Sequence, residues 1–284
     1  MGGTRPRGGT DAVTAGEANA DRELVSEIRA AYANSVDGWA TGPAWVYRRL
    51  AVALVAAARE ALTGRRVLDL GAGTGIASEV LHEIGARPVG LDLAVEMLTH
   101  RQARRPPGVA GDAQALPFRD DAFDAVVAAF SLNHVPDLER ALHEGRRVVR
   151  PGGLVLASTF PNDTEHPAKA AVEGVLEQHG YRRPDWYATF KRRVAALTGD
   201  ADAFAGAAAR AGLTGIRVHH LDVDAGLDDP HVAAQWRLNM PHTLDFVAGL
   251  EPRARADLRA GVVAALPREL PGSVRMLTLR CHAP

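Results

Sequence analysis

VLDLGAGTGIA, residues 67–77, places glycines at 71, 73 and 75 directly behind an apolar run broken by one acid, Asp69. The apolar run predicts a buried strand and the residues after it a helix, so the glycines sit in the turn between them. Glycine accepts φ > 0 and lets a ligand approach where a Cβ would exclude it. The helix that follows offers free N–H groups and a positive dipole end. The spacing is G-x-G-x-G, not the G-x-G-x-x-G that seats a dinucleotide pyrophosphate on the helix start. Asp69 at the strand end can orient loop N–H groups. It would repel a diphosphate and tolerate a cationic ligand.

Working outward, PVGLDL (88–93) predicts a second strand and AVEMLTHRQA (94–103) a helix. GVAGDA (108–113) and AFDAVVAAFSL (122–132) predict strands three and four. A helix over 137–149 follows, then a PGG turn (151–153) and strand five, LVLASTF (154–160). Strand alternating with helix over this length implies parallel βαβ units. Asp92, 17 residues after Gly75, ends strand two, where an acid can accept hydrogen bonds from both ribose hydroxyls. Asp112 ends strand three. The glycines and both acids therefore fall on one carboxyl edge, where open α/β sheets bind ligands.

Upstream, helices are expected over 22–35 and 44–62 with a turn at Asp37–Gly38, forming an N-terminal helical cap (21–62) behind a disordered tail (1–20). Downstream, helices are expected over 165–179 and 201–212, and strands over 216–223 and 273–281. The 224–272 segment between those strands is too long for a hairpin. It predicts a helical lid, with helices around 231–238 and 252–266, inserted in a core of 63–284.

The totals narrow the choices. The chain has 284 residues, a formal net charge of −1 and one cysteine, Cys281. That allows one α/β domain with an appendage. It excludes a disulfide framework and a cysteine-rich zinc site, and argues against a broad nucleic-acid or membrane footprint. A cytoplasmic setting fits. Gly2 lacks the serine or threonine of a myristoylation signal, since Pro6 stands there, and the first twenty residues lack a signal-peptide apolar stretch. Lysine occurs only at 169 and 191 against many arginines, which reads as GC-rich bacterial coding.

VLDLGAGTG, VGLDLAVEML, GDAQALPFRDDAFDAVVAAFSLNHVPD and RRVVRPGGLVLAS occur in order. In these motifs residues 65–160 resemble the class I S-adenosylmethionine-dependent methyltransferases, specifically the small-molecule enzymes of the ubiquinone/menaquinone type. YANSVDGWA (32–40) is similar to their N-terminal aromatic segment. The resemblance implies a Rossmann-like seven-stranded sheet with its last strand antiparallel. It implies that Gly71, Ala72 and Gly73 touch the methionine part of the cofactor and that Asp92 binds the ribose, with Leu93 and Met97 beside the adenine. It further implies that Asp112, Ala113 and Gln114 read the adenine edge, that Phe130 and Ser131 line the floor, and that Tyr32 closes over the methionine end. The product would be S-adenosylhomocysteine.

Methyl transfer needs in-line approach, close contact and exclusion of water; orientation alone can contribute ~7–11 kcal/mol. A base matters only if the nucleophile arrives protonated. His134, in SLNHV after strand four, is the candidate base; Asn133 stands where the family often has another histidine. Trp39, Trp236, Asn239, Met240 and His242 are candidates for a largely apolar acceptor pocket. The expected partner is a small-molecule acceptor, with no nucleic acid, no membrane and no metal, in a monomer or homodimer. Natural-product tailoring, as in secondary-metabolite biosynthesis, is the expected role, with O-, N- and C-methylation all open. His219 and His220 are adjacent in a strand and face opposite sides. Three rivals stand beside this reading. One is a nicotinamide oxidoreductase, for which YATFK supplies Tyr187 and Lys191 at Y-x-x-x-K spacing, although residues 160–186 hold no serine. Another is an RNA methyltransferase using the basic stretch 182–193, which otherwise reads as a solvated helix. The third is a non-catalytic S-adenosylmethionine-binding protein.

Overall fold

The computed structural model describes residues 15–284; the first fourteen residues of the expected tail lie outside them. Helix α1 (Ala15–Ala33) begins six residues before the expected cap boundary. It is followed by α2 (Val36–Thr41), α3 (Pro43–Ala56) and α4 (Arg59–Leu62). Asp37 and Gly38, expected to turn the chain, lie inside α2 instead. The single helix expected over 44–62 is broken at Ala57–Ala58.

The core runs β1 (Arg66–Leu70), α5 (Ile76–Glu83), β2 (Arg87–Asp92), α6 (Val95–Thr99), β3 (Gly108–Ala110), β4 (Phe123–Ala129), α7 (Leu138–Val148) and β5 (Val149–Thr159). Then come α8 (Pro167–Gln178), α9 (Asp185–Phe190), a π-helical stretch Lys191–Ala195, α10 (Ala196–Thr198), α11 (Ala201–Arg210) and β6 (Thr214–Asp224). Helices α12 (Pro230–Leu238), α13 (Pro241–Gly249) and α14 (Pro252–Ala265) lie between β6 and β7 (Ser273–His282). The helix expected over 94–103 stops at Thr99, because Arg101 turns left-handed at φ 50°. Residues 241–249 carry no strong period, and α13 had no counterpart in the sequence pattern.

The seven strands are ordered β3-β2-β1-β4-β5-β7-β6, with β7 antiparallel to both neighbours. Neighbouring strand residues bury opposite ways. Val67, Ala125, Val127, Leu154 and Leu156 join one core layer, under α3, α5, α8 and the insertion. Leu68, Val126, Ala128, Val155 and Ala157 join the other, under α7 and α11. Burial on both faces explains why these strands read as continuous apolar runs. The chain leaves β1 for β2 on one side and for β4 on the other, so the carboxyl ends of β1 and β4 form the switch point where such sheets bind ligands. Among the described residues no helix is long and apolar enough to cross a membrane.

Candidate active site

At the switch point all three loop glycines are left-handed: Gly71 at φ 74°, Gly73 at 52° and Gly75 at 96°. The N–H groups of Gly71 and Ala72 both donate to the Leu91 carbonyl, at 2.8 and 2.9 Å, tying the loop to β2. The Asp92 carboxylate accepts from Gly73 N–H (2.7 Å) and Ala94 N–H (2.9 Å). Burial raises its pKa and these two bonds oppose the rise. Beneath the loop, Asp69 does not orient the loop N–H groups as expected; it accepts from Ser78 Oγ at 2.6 Å, and its other oxygen has no partner.

Burial pushes the Asp69 carboxyl up to about 6 from an ordinary 3.8, against the pull of Ser78. The folded protein therefore holds this proton more tightly than the unfolded chain. The stabilisation is present below pH ~4 and is lost as pH rises through ~6, amounting to about 3 kcal/mol. Asp69→Asn has no such proton to lose. Urea midpoints measured from pH 4 to 7.5 should coincide at the acid end and favour the variant increasingly up to pH ~7. Parallel profiles would contradict this account of Asp69.

Arg105 is a loop residue that sequence reasoning missed. Its NH1 donates to the carbonyls of Gly73 (2.9 Å) and Met97 (3.0 Å). With Asp92 on the Gly73 N–H and Arg105 on its C=O, the central glycine is held from both sides. Burial lowers the guanidinium pKa, opposed by Asp69 and Asp92.

Asp112 lies two residues beyond β3 rather than at its end. It accepts from the Gln114 N–H at 2.8 Å, and the Gln114 side chain spans from Asp112 to the Asp137 N–H. The cavity above these groups is lined by Gly71, Ala72, Gly73, Asp92, Leu93 and Met97 from the first half of the sheet. Asp112, Ala113, Gln114, Phe130 and Ser131 complete its wall, and Tyr32 reaches it from the cap. All twelve residues expected at the cofactor thus share one cavity. Helix α1 roofs it through Val25, Ile28 and Arg29, with Arg29 Nε donating to the Leu93 carbonyl at 3.3 Å. Phe130 takes a left-handed φ of 56° just past β4, a strain of ~1–2 kcal/mol of the kind found at functional sites.

A second, larger chamber of about 350 Å³ adjoins the first. Tyr32, Tyr47 and His134 line both and form the partition. Tyr32 Oη and His134 Nε2 share a hydrogen bond of 3.1 Å, and His134 stacks on Phe190 with ring centroids 4.7 Å apart. Burial, reinforced by Lys191, pushes the imidazole down to about 4, so it is neutral near pH 7. Its Nδ1 is buried without a partner.

Trp236, Met240 and His242, expected at an acceptor pocket, line the second chamber. Two other candidates do not. Asn239 packs against Gly42, whose Cβ would lie 2.7 Å from its amide nitrogen, because it caps α12 on the side facing the cap. Trp39 lies on the first cavity, its ring 5.8 Å from Tyr32 and 4.8 Å from Tyr47. The 182–193 stretch is not wholly solvated. Tyr187 and Phe190 bury against Leu24 and Ile28 of α1, and Tyr187 stacks on His242 at 3.8 Å. Lys191 lines the chamber too. Tyr47, Phe160 and Arg237 are wall residues the sequence did not mark, and Lys191 was marked only for the nicotinamide reading.

A family profile described as "Methyltransferase domain" matches residues 68–157. The demethylmenaquinone methyltransferase of Mycolicibacterium paratuberculosis is 38% identical over 169 residues, 56% of this chain and 71% of that protein. The demethylmenaquinone methyltransferase of Mycobacterium tuberculosis is 48% identical over 101 residues, 36% of this chain, and the chain spans only 43% of that relative's length. A solved S-adenosylmethionine-dependent methyltransferase of Thermotoga maritima shares the fold at TM-score 0.54 and 15% identity, covering 92% of this chain and 100% of that one.

Proposed function

The chain belongs to the class I S-adenosylmethionine-dependent methyltransferases, and on that premise we propose that it methylates a small, largely apolar metabolite, with the donor in the first cavity and the acceptor in the second chamber. The observation that carries this reading is the shared partition: Tyr32, Tyr47 and His134 face both spaces at the carboxyl edge of the sheet. The residues present fit the donor. A Cβ on Gly73 would meet nothing nearer than Met97 Cε at 3.8 Å, so the backbone there is open to close approach. Asp92 and Asp112 give the cavity an acidic lining suited to a ligand of net positive charge.

Bound there, the cofactor supplies an electrophilic methyl group on a sulfonium. Asp92 would accept from the ribose hydroxyls, using lone pairs that Gly73 and Ala94 leave free. Asp112 and Gln114 would hold the adenine edge, and α1 would exclude water from above. Phe130, 4.5 Å from Phe160, would steer an apolar acceptor toward the partition. His134 is neutral, and when Nε2 donates to Tyr32 its Nδ1 lone pair can take a proton from an acidic hydroxyl.

The chamber volume falls in the range of small-molecule sites. Its aromatic wall suits a flat ring; the relatives' names describe a quinone acceptor, and a ring bearing a hydroxyl would give His134 a proton to take. The insertion between β6 and β7, whose α12 and α13 wall it, supports a tailoring role on a natural product. Incubation with methyl-labelled donor and a panel of hydroxylated aromatics should yield methylated product from at least one; labelled donor bound but never discharged would overturn the acceptor assignment. On such an acceptor His134→Ala should lower kcat ~100-fold while leaving S-adenosylhomocysteine affinity within about twofold. Full turnover in that variant would remove His134 as the base.

A further inference from the structure

The two cavities differ in charge. The donor cavity is lined by Asp92 and Asp112 against one arginine, Arg29. The acceptor chamber is lined by four basic side chains, Lys169, Lys191, Arg237 and Arg275, against Glu165 and Asp222. Two of the four are neutralised in place. Lys169 pairs with Glu165, and Arg275 makes a two-point bridge to Asp222 at 2.8 and 2.9 Å. The other two lack a close carboxylate of their own.

Arg237 is 6% exposed, and its nearest carboxylate, Glu173, lies 3.8 Å away and is already bound by Arg183 at 2.9 Å. Lys191 has no carboxylate within bridging distance among the described residues and sits at the chamber mouth, exposed outside and lining the space within. A buried guanidinium whose counter-ion is shared and 3.8 Å away is costly, and the Trp236 ring 5.3 Å from it offsets that cost only in part. Unpaired polar atoms concentrate on the same wall. Arg237 Nε and Trp236 Nε1 are buried without partners, and both atoms can only donate. Burial and the Arg237 charge also hold His242 well below its ordinary range, as expected beside an excess of positive charge.

Resting on the donor and acceptor placement above, we propose that the acceptor chamber selects an anionic acceptor, an apolar ring bearing a carboxylate, whose oxygens are held by Lys191 and Arg237. The cationic donor and the anionic acceptor then each meet a lining of opposite sign, and they attract one another across the partition. An acceptor carrying a protonated amine meets the wrong field, since like charges oppose it and no free carboxylate waits for it.

The probes are 2-naphthoate and its neutral isostere 2-naphthamide, titrated calorimetrically into protein saturated with S-adenosylhomocysteine. The naphthoate should bind at least about tenfold tighter than the amide, as expected for one retained charge-assisted contact. Lys191→Met should remove about tenfold of the naphthoate affinity and none of the amide's, with S-adenosylhomocysteine affinity unchanged. Arg237→Met should do the same where it folds; Lys191, at the mouth, keeps the test open if it does not. A naphthoate that binds no tighter than the amide, or not at all, to the loaded protein overturns the proposal, as does an undiminished preference in Lys191→Met. Failure of S-adenosylhomocysteine itself to bind would instead overturn the donor placement beneath it.

Discussion

Asp92→Ala is expected to weaken S-adenosylhomocysteine binding by two to three orders of magnitude while leaving the fold intact. In this account the carboxylate does two things. It would accept from the ribose hydroxyls, and it holds the glycine loop by accepting from Gly73 N–H at 2.7 Å. A hydrogen bond to a charged group contributes ~1.5–3 kcal/mol. Losing two, at the lower end of that range, costs about 3–4 kcal/mol of binding, or roughly 10²–10³ in affinity. Stability should move far less. Burial already disfavours the charged form of Asp92, so its removal also relieves a desolvation cost. Asp92→Asn keeps one acceptor oxygen and should fall between, at about a tenfold loss. Calorimetric titration with the melting temperature followed in parallel separates the two effects. Unchanged affinity in the alanine variant would contradict the cofactor placement.

The second large effect separates two glycines only two residues apart. A Cβ on Gly71 would lie 2.2 Å from Ser131 Cβ, on a backbone at φ 74°. Ser131 has little room to yield, since its hydroxyl donates to the Leu70 carbonyl. Left-handed strain of ~1–2 kcal/mol and overpacking of ~1–3 kcal/mol predict a stability loss of about 2–5 kcal/mol for Gly71→Ala. Gly73 has the strain without the clash, its nearest neighbour being Met97 Cε at 3.8 Å. Gly73→Ala should cost only ~1–2 kcal/mol of stability, but its methyl group enters the space assigned to the cofactor and should reduce affinity about 100-fold. Thermal unfolding and ligand titration on both variants test the contrast. Equal stability losses, or normal binding by Gly73→Ala, would refute it.

The cavity proposed for the donor was legible because its residues sit at ends of consecutive strands. Each motif in 65–160 fixes its own place on the carboxyl edge through local rules: a glycine turn, then an acid at a strand end, then another acid just beyond the next strand. The chamber proposed for the acceptor was not legible, because it is assembled from distant segments. The wall carrying Tyr187 and Lys191 is placed by packing of Tyr187, Phe190 and Val194 on Leu24 and Ile28, a contact across more than 150 residues. Arg182, Arg192 and Arg193 are exposed, and they disguised the segment as a solvated helix. Arg105 was hidden in the same way, since in RQARRPPG an arginine gripping the Gly73 carbonyl looks no different from the exposed Arg101. Tyr47 reads as an ordinary helix position, and only the tertiary structure sets it between two cavities. Asn239 failed for the opposite reason. Sequence adjacency to Met240 suggested a shared pocket, but the end of α12 turns it toward Gly42.

A thermal-shift series on the full chain with S-adenosylmethionine, S-adenosylhomocysteine, NADH and NADPH at matched concentrations tests the central claim most directly. A ligand at one hundred times its dissociation constant stabilises by ~2.7 kcal/mol, or about 5 °C for a chain of this size. The account predicts that shift with both sulfur nucleotides and none with either nicotinamide. A shift with a nicotinamide alone would contradict it, and would move the weight to Tyr187 and Lys191.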